Sequence, residues 1–121
     1  FSGIDLLIKQ GIADGKRLAI WGWSYGGYLS ARAITQTSRF KAAIVGAGLT
    51  NLLSFDGTSD LSQVYLSGYF GTHFWKDPKL YLKRSPIMEI AKVKTPTLLQ
   101  YGMEDLRVPI SQGIEFFHGL R

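Results

Sequence analysis

Gly22-Trp23-Ser24-Tyr25-Gly26-Gly27 sets a serine between glycines two positions away on either side. That G-x-S-x-G spacing presents a nucleophilic hydroxyl when a strand precedes it and a helix follows. The turn is expected to be so tight that the Ser24 backbone is strained and that side chains at positions 22 and 26 would collide, hence the glycines. The helix that follows aims its N-terminal amides at the serine. The Tyr25 N–H is then one donor to an oxyanion formed when Ser24 attacks a carbonyl. The competing reading is an ordinary glycine-rich strand-to-helix turn. A second group lies in Gly102-Met103-Glu104-Asp105-Leu106-Arg107-Val108-Pro109. An acid in such a place orients a histidine and stabilises its cationic form. Asp105 fits the role, its neighbour Glu104 is the rival, and both could instead be plain turn carboxylates. The histidine should follow the acid, beyond one more helix and strand. Only 16 residues follow Asp105. They are used by a loop and a helix, so His118 reads as a surface residue. His73 sits in an aromatic stretch and reads as structural. The base is expected outside these 121 residues.

The elements that must hold these groups are legible from periodicity. Apolar Ile4, Leu7, Ile8 and Ile12 carry helical spacing over 2–12, with Ser2 as the expected N-cap. Leu18-Ala19-Ile20-Trp21 is an apolar run without alternation, which suits a strand covered on both faces. The turn spans 22–27, and residues 28–35 read as helix. A second buried strand is expected over 42–47 and a third over 97–101. Between them, 48–60 reads as loop, 61–74 as helix or irregular structure, and 77–82 as a short helix ended by Ser85-Pro86. Residues 102–109 form a loop, and 111–120 a helix with Ser111 as N-cap. Strands alternating with helices predict an α/β fold with central parallel strands and flanking helices.

Composition bounds the rest. With 121 residues the chain holds one domain at most, and 45% hydrophobic against 19% charged residues excludes a disordered chain. Zero cysteines exclude disulfides and cysteine-based metal sites, and two histidines are too few for a His-rich one, so no metal is expected. The apolar runs are strand-sized, so no bilayer span is expected. Six of the basic residues, Lys76, Lys79, Lys83, Arg84, Lys92 and Lys94, face only Asp77 and Glu89 and supply +4 of the +5 net charge. Without a nucleic-acid-binding motif, this stretch reads as a solvated face rather than a nucleic-acid site. The chain opens on Phe1 and stops at Arg121 inside a helical pattern, so a segment of a longer protein is expected. The absence of cysteine points weakly to the cytoplasm.

Gly22 to Tyr28, followed at this separation by Asp105-Leu106-Arg107-Val108-Pro109, resembles the prolyl oligopeptidase family of serine peptidases. Its acylaminoacyl-peptidase and dipeptidyl-peptidase-like branches are the nearest in pattern. Arg39-Phe40-Lys41-Ala42-Ala43, Ser85-Pro86 and Lys94-Thr95-Pro96-Thr97 resemble the same family, so the likeness runs along essentially the whole chain. It implies part of an α/β-hydrolase domain, with residues 1–121 as one fragment of that catalytic domain. It implies Ser24 as nucleophile and Asp105 as acid, with a histidine about thirty residues past Asp105. It also implies an upstream β-propeller that filters substrates by size and a second oxyanion donor from an upstream tyrosine. Tyr101 departs from the histidine usual before Gly102. The segment after the second strand lies where this family builds the pocket for the residue before the scissile bond. Leu52, Leu53 and Phe55 are its candidate walls, with ordinary core packing as the equal alternative. Tyr65, Tyr69, Phe70, Phe74 and Trp75 read as packing, and no tyrosine pair stands out as a proline-binding pair.

The expected activity is hydrolysis of peptide bonds in short peptides through an acyl-enzyme on Ser24, without metal or organic cofactor. A carboxylesterase or lipase of the same fold uses the same parts. A non-catalytic binding domain that kept the fold is the reading from another class.

Overall fold

In the computed structural model of the chain, three strands form one parallel sheet in the order β1-β2-β3. The structure describes the backbone of residues 1–121 and every side chain except those of residues 62–64. β1 (Ala19–Trp23), β2 (Ala42–Gly46) and β3 (Thr97–Gln100) align so that Trp21, Ile44 and Leu98 stand side by side. Around them run α1 (Ser2–Lys9), α2 (Tyr25–Gln36), α3 (Leu52–Thr58), α4 (Ser62–Phe70), α5 (Pro78–Arg84) and α6 (Ser111–Leu120), with a 3-10 segment over Pro86–Lys92. The expected α/β arrangement of central parallel strands with flanking helices is present. No helix among the described residues is long and apolar enough to cross a membrane.

Several boundaries differ from the sequence expectation. Helix α1 ends at Lys9, before the left-handed Gly11 (φ 72°), and Phe1 rather than Ser2 caps it. β1 runs on to Trp23 and α2 already begins at Tyr25, so the turn shrinks to the single residue Ser24. The segment expected as loop from 48 to 60 contains α3. Asn51 caps that helix by accepting from the amides of Leu53 (3.2 Å) and Ser54 (3.4 Å), a local hydrogen bond that favours helix initiation. In α6, Ser111 is the first helical residue and Ile110 the cap.

The helices pack on one side of the sheet. Ile34 of α2, Val45 of β2 and Phe116 of α6 are buried together there with Phe40. A second core of Leu49, Leu52, Phe55, Tyr81 and Val108 lies past the C-terminal ends of the strands. The other face of the sheet is open, with Trp21 70% and Leu98 58% exposed. The expectation that these strands are covered on both faces is therefore corrected. Their apolar runs match a two-sided core, but the described residues supply helices to one side only. The six basic residues of 76–94 are all exposed, and Glu89 pairs with Arg32 (3.4 Å) and Lys92 (3.5 Å), as a solvated face would.

Helix α2 starts in contact with the end of β2. A Cβ on Gly27 would overlap the Gly46 carbonyl oxygen and come within 2.8 Å of the Gly48 Cα. A Cβ on Gly26 would meet nothing within 4 Å. Gly27→Ala is accordingly expected to cost about 1–3 kcal/mol or to shift α2, because backbone cannot yield as a side chain can. Gly26→Ala should be neutral or mildly stabilising by removing a helical glycine. Denaturant melts of the two variants in the intact protein make the comparison.

Asp56 of α3 is buried at 3% exposure, and neither carboxylate oxygen has a hydrogen bond among the described residues. Burial pushes its carboxyl above the ordinary value of 3.8, while the nearby His73 pulls it down. A raised native value means that the stabilising neutral form is fully present below the unfolded value and is lost as pH rises through the native one. Asp56→Asn should thus raise Tm by a few degrees at pH 7, with the gain shrinking as pH falls toward 3.8. A Tm against pH series on the intact protein reads this directly.

Candidate active site

Ser24 is the single residue between β1 and α2, and it adopts φ 56°, ψ −120°. Positive φ is unfavourable for a residue with a Cβ, so the surroundings must hold it there. Gly22 does so by absence: a Cβ on it would run into the carbonyl of Gly26. The Ser24 amide donates to Gly46 O across to β2 at 2.9 Å, and its carbonyl accepts from Tyr28 at 3.0 Å. The backbone is thus pinned on both sides while the residue itself stays exposed. The expectation of two colliding glycines holds for Gly22 and not for Gly26. The third glycine, Gly27, carries the other steric demand.

The Tyr25 amide opens α2 and has no hydrogen bond among the described residues. It is a free donor at the N-terminus of a 12-residue helix, where the helix dipole favours negative charge. Ser24 opens onto a cleft of about 280 Å³ whose walls include Leu49, Phe55, Tyr65, Arg107 and Val108. The structure therefore brings together the serine, one expected pocket residue and the end of the Asp105 stretch. Beside it, a smaller apolar recess of about 40 Å³ is walled by Tyr25, Tyr28, Leu52, Tyr65, Tyr69 and Phe70. Leu52 belongs to this recess and to the core at once. Leu53 lines neither of these two cavities and packs, partly buried, against the core.

Tyr65 and Tyr69 were expected as packing, yet they face the recess. Tyr69 stacks on Tyr25 with ring centroids 6.2 Å apart and planes 16° apart, and Tyr65 meets Tyr69 edge-on at 5.1 Å. The spacing of four between them is the signal that could have found the pair, since it puts both rings on one helix face. Burial raises the Tyr65 and Tyr28 phenols above their ordinary values, so both are neutral donors near neutral pH.

Asp105 is half-buried on the loop after β3. Its Oδ1 accepts from the amides of Arg107 (2.9 Å) and Val108 (3.0 Å), which fixes the carboxylate in a tight turn. Glu104 is exposed. The loop is strapped from outside by Arg107, whose guanidinium grips Asp60 at 2.8 and 3.1 Å. Ser24 and Asp105 rise at the same end of the sheet, from strands with β2 between them. Two strand spacings put those strands about 10 Å apart.

Neither histidine is among the residues that wall the cleft at Ser24. His73 lies on the loop after α4, stacked on Trp75 at 4.3 Å, with Nδ1 buried and without a hydrogen bond among the described residues. His118 is exposed on α6 against Phe117. Tyr101 takes a structural post instead: its hydroxyl donates to Gly48 O at 2.8 Å, and burial pushes the phenol well up. No cluster of three or more metal-ligating side chains occurs among the described residues.

The sequence model of the prolyl oligopeptidase family matches residues 1–121. An uncharacterized peptidase, YuxL, of Bacillus subtilis is 36% identical over 108 residues, covering 89% of this chain and 16% of that protein. The acylamino-acid-releasing enzyme of Arabidopsis thaliana is 36% identical over 126 residues, covering 98% of this chain and 16% of its own length. Among solved structures, a puromycin-hydrolyzing peptidase of Mycobacterium tuberculosis superposes with a TM-score of 0.90 at 38% identity, covering 98% of this chain and 18% of that one. The acylaminoacyl peptidase of Pyrococcus horikoshii gives 0.90 at 33% identity, covering 97% of this chain and 19% of that one. The chain thus spans about a sixth of the length of the curated relatives it matches. A match over every residue, a strand–serine–helix turn and an acid loop at the same sheet end lead to one conclusion: this chain belongs to the prolyl oligopeptidase family and is part of an α/β-hydrolase fold.

Proposed function

We propose that this chain is the nucleophile-and-acid segment of a serine peptidase that cleaves peptide bonds in short peptides. The observation that carries the reading is Ser24, held at φ 56° with its side chain over the cleft and the free Tyr25 amide beside it. The Ser24 hydroxyl attacks the scissile carbonyl, and the Tyr25 N–H stabilises the oxyanion. A histidine from a longer polypeptide takes the serine proton and passes it to the leaving amine. Asp105 holds that imidazole in the right tautomer. Water then releases the acyl group, and no cofactor takes part. That neither His73 nor His118 walls the cleft supports an external base.

The recess between Tyr25, Tyr65 and Tyr69 accepts the side chain before the scissile bond, with Leu52 of α3 in its wall and Phe55 of α3 in the adjoining cleft. Its apolar walls favour a small apolar residue over a charged one, because a charge would lose its hydration there without a partner. An upstream β-propeller in the same polypeptide would restrict entry to short peptides. The relatives, about six times longer than this chain, leave room for such a domain. The lack of cysteine suits a reducing compartment, and we place the protein in the cytoplasm. Residues 1–121 alone, without base and second oxyanion donor, should turn over no peptide at a useful rate.

In the intact protein, Ser24→Ala should abolish both peptidyl-nitroanilide hydrolysis and fluorophosphonate labelling. Labelling that survives Ser24→Ala would move the nucleophile elsewhere. Asp105→Asn should lower kcat by about 10⁴-fold, since it favours the wrong imidazole tautomer. Glu104→Gln, an exposed neighbour, should change kcat by less than about threefold, because its interaction is screened by solvent. A crippled Glu104→Gln beside an active Asp105→Asn would assign the acid to Glu104.

A further inference from the structure

Segment 48–52 walls both cavities, Leu49 lining the cleft and the recess and Leu52 the recess, and it leads into Phe55 of the cleft. It leaves β2 through Ala47, a non-glycine residue at φ 41°, so its course is strained at the start. What holds it is a set of buried polar contacts, most of them converging on one side chain. Gln112 is fully buried, at 0% exposure. Its Oε1 accepts from the amides of Thr50 (3.0 Å) and Asn51 (2.9 Å), and its Nε2 donates to Ser54 Oγ at 2.9 Å. The Thr50 hydroxyl returns a bond to the Gln112 carbonyl at 2.6 Å. Tyr101 adds the bond from its hydroxyl to Gly48 O at 2.8 Å.

Both anchors belong to the acid side of the cleft. Tyr101 directly precedes the Gly102–Pro109 loop, and the Gln112 amide donates to Pro109 O at 2.9 Å where that loop ends. One loop therefore carries Asp105, and residues just before and just after it grip the 48–52 wall.

We propose that Gln112, assisted by Tyr101, is a positioning residue that sets the distance between the Asp105 loop and the 48–52 wall and thereby the fit of the substrate's acyl-side residue. This rests on the serine-peptidase reading above. Gln112 touches no reacting atom and acts through the backbone it holds. A buried glutamine that pairs two amides cannot be replaced by an apolar side chain without leaving both donors unpaired. The wall would then relax toward other partners, and the cavity lined by Leu49 and Leu52 would change shape while Ser24 stays pinned by Gly46 O.

The test uses the intact protein with alanyl- and phenylalanyl-nitroanilides, and counts active sites by fluorophosphonate labelling of Ser24. Per labelled site, Gln112→Met should raise KM by roughly tenfold with a smaller change in kcat, and should alter the preference between the two substrates. Tyr101→Phe, which loses one hydroxyl and keeps its ring, should move both quantities in the same direction by roughly threefold. A purely structural role would reduce the number of labelled sites and leave KM and preference per site unchanged, which overturns the proposal. If Gln112→Met does not fold, Tyr101→Phe decides by the same readouts. If the unsubstituted protein is not labelled at Ser24, the peptidase reading fails and this assignment fails with it.

Discussion

Helix α2 and strand β2 approach more closely than any pair of side chains would permit, and the site follows from that contact. Gly27, Gly46 and Gly48 are all buried where the first turn of α2 meets the end of β2. To bring the helix in so close, the chain must leave β1 and enter α2 within one residue. That residue is Ser24, and its positive φ is the geometric remainder of the demand. The next strand shows the same signature, since Ala47 leaves β2 at φ 41°. Two non-glycine residues in the left-handed region thus flank one helix–strand contact. Strain of this kind, of order 1–3 kcal/mol per residue, persists only where the surroundings over-determine the backbone. Here the Ser24 amide to Gly46 O and the Ala47 amide to Gln100 O (2.8 Å) supply that determination.

The opposite side of the cleft is held by a different kind of force. Around Ser24 the constraint is steric and needs only small residues. Around the 48–52 wall it is polar and directional. Thr50, Gln112 and Ser85 are buried, and each has hydrogen-bond partners, with the Leu52 amide donating to Ser85 Oγ at 2.8 Å. A satisfied buried network of this sort specifies one arrangement because each loosened bond exposes an unpaired group to a low-dielectric interior. Asp56 and His73 show the contrary case, with buried polar atoms that have no hydrogen bond among the described residues. The difference separates a cluster that fixes geometry from one that costs stability.

The parts of this design that are local in sequence were legible in it. The strand, serine, helix order around Gly22 to Gly27 needs nothing from elsewhere in the chain, and the three strands announce themselves by short apolar runs. Helix α3 was not legible, because residues 48–60 lack a clean apolar period. Its start depends on Asn51 as cap and on Gln112, some sixty residues away, as acceptor. Gln112 itself was invisible for a related reason: a polar residue in an amphipathic helix reads as surface until a partner segment covers it. The recess tyrosines were present in plain spacing, yet nothing in one sequence distinguishes an aromatic that packs from one that walls a cavity. Glycine roles were also misassigned. Spacing pointed to Gly22 and Gly26, whereas the close carbonyl of Gly26 selects Gly22 and the end of β2 selects Gly27.

The open face of the sheet completes the physical picture. Trp21, Ile44 and Leu98 form an apolar row across all three strands on that face. Parallel sheets are stable when both faces are covered, so this row requires a packing partner that the helices of the chain, placed on the other face, do not provide. The requirement is separate from the shaping of the cleft. Among the described residues, the hydrogen bonds that fix Ser24, the 48–52 wall and the Asp105 loop involve neither Trp21 nor Leu98. Further polypeptide packed on Trp21 and Leu98 would therefore add stability through burial, at about 25 cal/mol per Å² of apolar surface. It would do so without redrawing the geometry that holds the serine and the acid at one end of the sheet.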